Sequence, residues 1–254
     1  MMKHVKIYKD IYDVNKKRGN YYMGKAVIIA CDFKDKEETL NFLNKIEDEK
    51  LYLKIGMELF YSEGPEIVRE IKKRGHKIFL DLKLHDIPNT VEKAMKSLAK
   101  LDVDMTNVHA SGTIKMMEAG LKGLTKEDGT RPLLIAVTQL TSTSQEVMEQ
   151  DLLIKENIED VVMHYAENSK KAGLDGVVCS PLEVQVVKRK CGKDFLTITP
   201  GIRFSTDSKD DQSRITTPAK AKELGSDYIV VGRSITKAEN PQEAYRKCVE
   251  DFCG

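Results

Sequence analysis

Nowhere in the sequence do two cysteines stand at the C-x-x-C spacing of metal and redox motifs. The five present, Cys31, Cys179, Cys191, Cys248 and Cys253, are odd in number. That argues against a disulfide framework or a cysteine-bound metal and points to a reducing, cytoplasmic setting. No apolar run approaches the roughly 18 residues of a membrane span, so no membrane partner is expected. An excess of one charge is also missing: 41 Lys and Arg against 40 Asp and Glu leave a net +1. This excludes a global field that would gather nucleic acid or an anionic membrane, and leaves open a local cationic pocket for one small anion. The opening "MMKHVKIYKDIYDVNKKRGNYYMGK" has basic residues but lacks the apolar stretch of a secretory signal. Residues 1–24 are expected to be an N-terminal extension, a candidate for disorder, and 25–254 one folded domain. A start at Met23 would leave the first strand intact.

What is there is an alternation. Short, nearly continuous apolar runs occur at 25–31, 51–56, 76–83, 103–109, 132–138, 175–180, 195–200 and 227–232. Runs of this kind are what strands buried on both faces look like. Amphipathic segments lie between them. In "TVEKAMKSLAKL", Val91, Ala94, Met95, Leu98 and Leu101 form one helical stripe. "EETLNFLNKI", "EIVREIKKRG" and "IEDVVMHYAENSKKAG" show similar stripes, the last two ending at Gly75 and Gly173. No Gly/Ser-rich linker divides the chain. Eight strand–helix pairs in 254 residues predict a single-domain (β/α)8 TIM barrel. A doubly wound open sheet is the alternative, but it leaves two strands over.

In such a barrel, active sites gather where the strands end. Asp32 follows the first strand, Lys54 stands near the end of the second, and "DLKLHDIPNT" closes the third with Asp81, Lys83 and Asp86. Asp81 and Lys83, two apart on a strand, share a face that would be the barrel mouth, with Leu82 turned away. Any one of these could be a capping or solvated residue, and His85 and His109 read as structural. The convergence of several ionisable residues on one end carries the functional reading, because buried charges must pair. The last strand ends in "VVGRSI" and the seventh in "TPGIR". Loops after strands seven and eight often bind phosphate, and there Gly232 admits close backbone approach and Arg233 offers a forked contact. Between them, "STDSKDDQSR" (205–214) has no apolar residue. It reads either as a solvated loop or as a lid that closes over phosphate.

Taken together and in order, "KIGMELF", "DLKLHDIPNT", "NVHASG", "VTQLTSTS", "TPGIR" with "DDQSR", and "IVVGRSIT" closely resemble the orotidine 5′-monophosphate decarboxylase family, in particular its bacterial form. The resemblance runs from about Lys25 to the C-terminus, with D-x-K-x-x-D its most specific signature. It implies loss of CO2 from orotidine 5′-monophosphate to give uridine 5′-monophosphate, the last step of pyrimidine nucleotide synthesis. It also implies a homodimer without metal or organic cofactor. Carried over residue by residue, it makes Lys54, Asp81, Lys83 and Asp86 the charged catalytic network, with Lys83 the proton donor to C6. Asp86 and Thr90 would reach into the partner's site. Asp32, Lys54 and Thr90 would bind ribose and Thr141 the pyrimidine edge. Gln212, Gly232 and Arg233 would grip the phosphate, with Arg203 nearby.

The chemistry asks for such residues on its own account. Loss of CO2 from C6 leaves an electron pair in the ring plane, beyond the reach of the π system. A fixed ammonium beside C6 stabilises that carbanion and then delivers the proton. Two other readings stay in view. Metal-dependent sugar-phosphate decarboxylases and aldolases of the same barrel type share a similar third-strand motif, although the lysine of "KIGMELF" and the "QLTSTS" loop favour a nucleotide. A non-catalytic nucleotide-binding barrel would have no need of the complete charged set.

Overall fold

The computed structural model describes residues 24–46, 49–205 and 215–254. Eight parallel strands close into one barrel in sequence order: β1 (Ala26–Cys31), β2 (Tyr52–Gly56), β3 (Lys77–Leu84), β4 (Met105–His109), β5 (Leu133–Val137), β6 (Gly176–Val178), β7 (Leu196–Thr199) and β8 (Tyr228–Val231). The ring is completed by β8 pairing with β1, Val27 opposite Ile229. All eight lie on the apolar runs named above, β3 extending one residue past its run to Leu84. Closure leaves no strand over, so the open doubly wound sheet is excluded. The expected 1–24 extension lies, except for Gly24, outside the described residues.

The outer layer comprises α1 (Lys36–Leu43), α2 (Met57–Glu63), α3 (Pro65–Lys73), α4 (Pro88–Leu98), α5 (Thr113–Leu124), α6 (Gln145–Asp151), α7 (Ile158–Lys171), α8 (Val184–Cys191), α9 (Pro218–Leu224), α10 (Arg233–Thr236) and α11 (Pro241–Cys253). Local chemistry sets their ends. The Asp35, Asn157 and Asn240 side chains cap α1, α7 and α11 by accepting from Glu38, Glu159 and Glu243 N–H. The α4 stripe buries Val91, Met95 and Leu98, and Leu101 follows in a 3-10 turn. Between α2 and α3, Gly64 takes φ +65°, which turns one helix into the next.

Two apolar layers result. One lies between strands and helices and includes Ile29, Leu53, Ile78, Leu80, Leu82 and Val108. The other fills the barrel with Ile28, Ala30, Tyr52, Phe79, Met105, Leu133, Ile135, Leu196, Ile198, Tyr228 and Val230. Tyr52 and Tyr228 meet edge to face in this interior at 6.1 Å. Because side chains alternate along a strand, the next inward positions above this plug are Asp32, Lys54, Asp81 and Asn107. The packed interior is thus the platform on which the charges stand.

One ladder is irregular. From Leu80 to Leu84, β3 advances four residues while β4 advances two, Thr106 to Val108. The even surplus keeps every side chain on its own face. Within it Lys83 adopts φ +50°, a left-handed conformation for a non-glycine residue.

At the opposite end of the barrel an aspartate recurs just before β4, β6 and β8. Asp104 accepts from Ile78 N–H at 2.8 Å and from Lys72 at 3.0 Å. Asp175 accepts from Leu134 N–H at 2.8 Å and from Arg131 at 2.9 Å. Asp227 accepts from Thr197 N–H at 2.7 Å and from Lys188 at 2.6 Å. Each side chain clips its own register neighbour on the preceding strand. Before β2 the matching position is Leu51, whose N–H donates to His76 Nδ1 at 3.2 Å.

Candidate active site

At the mouth, four side chains form an alternating line. Asp32 Oδ1 lies 2.9 Å from Lys54 Nζ, which lies 3.5 Å from Asp81 Oδ2, while Asp81 Oδ1 accepts from Lys83 Nζ at 2.7 Å. The side-chain face expected to be shared by Asp81 and Lys83 is present, and Leu82 packs outward as expected. The rim is wet and the centre dry: Asp32 is exposed, Lys83 half-buried, and Asp81 and Lys54 largely out of water.

Electrostatics follow from this order. Burial pushes the Asp81 carboxyl upward, yet Lys54 and Lys83, with hydrogen bonds from Lys83 and Asn107, hold it below the usual carboxylate range. Burial works against the Lys54 ammonium too, and Asp81 and Asp32 overcome it, raising that group above its ordinary value. Both interior groups are therefore charged at neutral pH, and each depends on the other.

Three residues beside the line lie within motifs quoted above but take no site role from the sequence. Asn107, fully buried on β4, donates from Nδ2 to Asp81 Oδ1 at 2.7 Å and accepts Lys83 N–H on Oδ1 at 2.8 Å. A Cβ at Gly56 would stand 3.2 Å from Lys54 Nζ and 3.5 Å from Asp32 Oδ1, so glycine there leaves room for the ion pair. His109, read as structural, continues the inward row of β4 with its ring 5.7 Å from that of His85. Burial, His85 and Lys83 lower its titration against the pull of Asp81. "VDMTNVH" reads as strand, and the contacts of Asn107 with Asp81 and Lys83 appear only once β4 lies beside β3.

The remaining expected residues that are described occupy the same end without joining the line. Thr141 is buried in the loop after β5. Gly232 and Arg233 stand where β8 passes into α10. A Cβ at Gly232 would meet nothing closer than Ala30 Cβ at 3.7 Å, so neighbouring side chains do not demand glycine. Arg203 Nη1 donates to Ile202 O at 2.9 Å, beside an isolated bridge between Ile202 and Thr216. Gln212, and the 205–214 lid reading apart from Ser205, lie outside the described residues. Asp86 and Thr90 are exposed, in an exposed run from His85 to Thr90. The Asp86 carboxylate accepts from Ile87 N–H at 2.6 Å rather than entering the line. The four charges brought together within one chain are thus Asp32, Lys54, Asp81 and Lys83; Asp86, expected to serve the site of a second copy, is not among them. Among the described residues no group of three or more His, Cys, Asp or Glu is placed to hold a metal ion, and no helix is long and apolar enough to cross a membrane.

Comparison with known proteins converges on one family. The family model described as "Orotidine 5'-phosphate decarboxylase / HUMPS family" matches residues 25–248. Orotidine 5′-phosphate decarboxylases of Bacillus cytotoxicus and Bacillus mycoides are 57% and 56% identical over 235 residues, 91% of this chain and 99% of each relative. Among solved structures, orotidine 5′-phosphate decarboxylase from Lactobacillus acidophilus aligns with TM-score 0.82 at 41% identity, covering 91% of this chain and all of that one. An uncharacterized conserved protein from Geobacillus kaustophilus aligns with TM-score 0.80 at 46% identity, covering 89% of this chain and 99% of that one. With a closed eight-strand barrel, a D-x-K-x-x-D strand end and relatives of this closeness along nearly its whole length, the chain belongs to the orotidine 5′-phosphate decarboxylase / HUMPS family.

Proposed function

We propose that the chain decarboxylates orotidine 5′-monophosphate to uridine 5′-monophosphate and CO2, the final step of pyrimidine nucleotide synthesis, and that Lys83 protonates C6. The observation that carries this reading is the line Asp32–Lys54–Asp81–Lys83, held on the barrel plug with Lys83 Nζ 2.7 Å from Asp81. Charge that is already paired and fixed needs little reorganisation when the carbanion forms, and that is where electrostatic catalysis gains most. The C6 lone pair develops next to the Lys83 ammonium, which stabilises it and gives up a proton to it. Asp81 lies beside the departing carboxylate, where repulsion is relieved as CO2 leaves; stabilisation by Lys83 is the larger effect. Neither metal nor organic cofactor takes part in this scheme.

Asp32 and Lys54 hold the ribose and Thr141 the pyrimidine edge. Arg203, Gln212, Gly232 and Arg233 grip the phosphate. The position of Gly232 and Arg233 at the C-terminal end of β8, where barrels of this type bind phosphate, supports this. Asp86 and Thr90 serve the site of a second copy in a homodimer. Their exposure supports that reading, as does the neighbouring Ile87, a large apolar residue 65% exposed. The setting is cytoplasmic, in keeping with five free cysteines.

The test follows orotidylate absorbance with exhaustively chelated protein. The parent should turn over undiminished, and Lys83→Ala should lose activity while still binding uridine 5′-monophosphate. Turnover by Lys83→Ala above about a tenth of the parent rate would overturn the donor assignment. Loss of parent activity on chelation would favour the metal-dependent sugar-phosphate branch.

A further inference from the structure

We infer that Asn107 is a positioning residue of the reaction: its side-chain amide, reaching from β4 to β3, sets where the Asp81 carboxylate and the Lys83 ammonium stand. The inference rests on the reading of Lys83 as proton donor and goes one shell behind it. Three observations carry it. The β3–β4 ladder breaks between Leu80 and Leu84, so the N–H of Lys83 falls where regular pairing is interrupted. Asn107 Oδ1 takes that N–H at 2.8 Å, and Nδ2 donates to Asp81 Oδ1 at 2.7 Å. Lys83 is held at φ +50°, a conformation a lysine keeps only if its surroundings impose it.

The orientation of the amide is fixed by chemistry. A backbone N–H can only donate and a carboxylate can only accept, so a flipped amide would satisfy neither partner. Asn107 is fully buried, so both contacts are shielded from bulk water. One oxygen of Asp81 thereby receives both Asn107 and Lys83, and the other is left toward Lys54. Without the bridge, Lys83 is free to relax toward an ordinary strand conformation, and its ammonium moves away from C6.

Two variants separate positioning from bulk stability. Asn107→Leu keeps the size and removes both contacts. Asn107→Asp keeps the acceptor for Lys83 N–H but sets a second carboxylate against Asp81. When protonated, that carboxyl donates to Asp81 as the amide did. The charged and titratable groups facing this pair are Lys83 of β3, Lys54 of β2 with Asp32 behind it, His109 of β4 and His85. All are common to parent and variants, so activity is read as the ratio to parent at each pH. Asn107→Leu should lose on the order of 100-fold or more in kcat at every pH, with uridine 5′-monophosphate affinity within a few-fold of parent. The Asn107→Asp ratio should climb as pH falls, by up to about tenfold per unit. Lys83→Ala is run beside them. An active Lys83→Ala removes the donor reading itself. An inactive Lys83→Ala with Asn107→Leu within about twofold of parent kcat overturns only the role of Asn107. A pH-independent Asn107→Asp ratio overturns it equally, and that arm stands if Asn107→Leu does not fold.

Discussion

The left-handed backbone at Lys83 makes a prediction that runs against the usual order of substitutions. In an ordinary strand glycine is worse than alanine by roughly 0.5–1 kcal/mol, because it loses more freedom on folding. At φ +50° the Cβ of any L-residue crowds the following carbonyl, at a cost of about 1–2 kcal/mol. Alanine pays this and glycine does not. Lys83→Gly should therefore be more stable than Lys83→Ala by about 0.75 kcal/mol, the difference between the midpoints of those two ranges. Both variants lose the same ammonium and leave Asp81 with Lys54 and Asn107, so electrostatics cancel in the comparison. For a chain of this length the difference corresponds to a melting shift on the order of 1–4 °C. The assay is a pair of thermal melts at one pH and scan rate, with absence of turnover confirmed for both. If Lys83→Ala melts above Lys83→Gly, the backbone there is not strained, and the role given to Asn107 loses one of its supports.

Mixing inactive Lys83→Ala and Asp86→Ala proteins under subunit exchange should restore about a quarter of parent activity at equal amounts, since half the dimers are mixed and each holds one native site. No recovery despite proven exchange would return Asp86 to its own subunit. Arg233→Ala should cost about 2–5 kcal/mol in kcat/KM; phosphite should activate the parent on orotidine lacking its phosphate but leave the variant little changed, and equal activation would place the anion elsewhere. His76 titrates at about 4 instead of 6.5, through burial and then Lys50 and Arg74. Its contribution should be complete above pH 6.5 and fade as pH falls toward 4, because the unfolded chain takes up the proton first. Allowing for partial solvent contact it is worth on the order of 1–2 kcal/mol, and denaturant melts of His76→Leu should lack that slope. A chain started at Met23 should remain soluble and active, and loss of either would show that residues 1–22 support the barrel.

The sequence discloses the barrel and the charged strand end for one reason: both are written locally. Buried parallel strands need apolar residues at nearly every position, and Asp81 and Lys83 share a face by simple alternation. What it hides is what depends on contacts between distant segments. Asn107 lies 26 residues from Asp81 and acquires its function only because two extra residues on β3 open a gap for it. Gly56 looks like a strand terminus until the pair beside it is seen in space. Asp86 belongs to the charged motif by spacing, yet within its own chain it is exposed and accepts from Ile87 N–H, which spacing alone does not reveal. The left-handed turn at Lys83 has no signal at all, since neither glycine nor asparagine occupies it.

The aspartate clips at the far end of the barrel have a period of two strands, not one. They join β3 to β4, β5 to β6 and β7 to β8, and the fourth pair has Leu51 at the matching place. The unit that carries one clip is therefore a pair of strands with the helix between them. It also ranks the places where the chain can be divided. Breaks in the connections before β3, β5 or β7 leave every clip within one fragment, whereas breaks between β3 and β4, β5 and β6, or β7 and β8 separate an aspartate from the N–H it holds. Split halves and circular permutants opened at the first kind of site should reassemble more readily than those opened at the second.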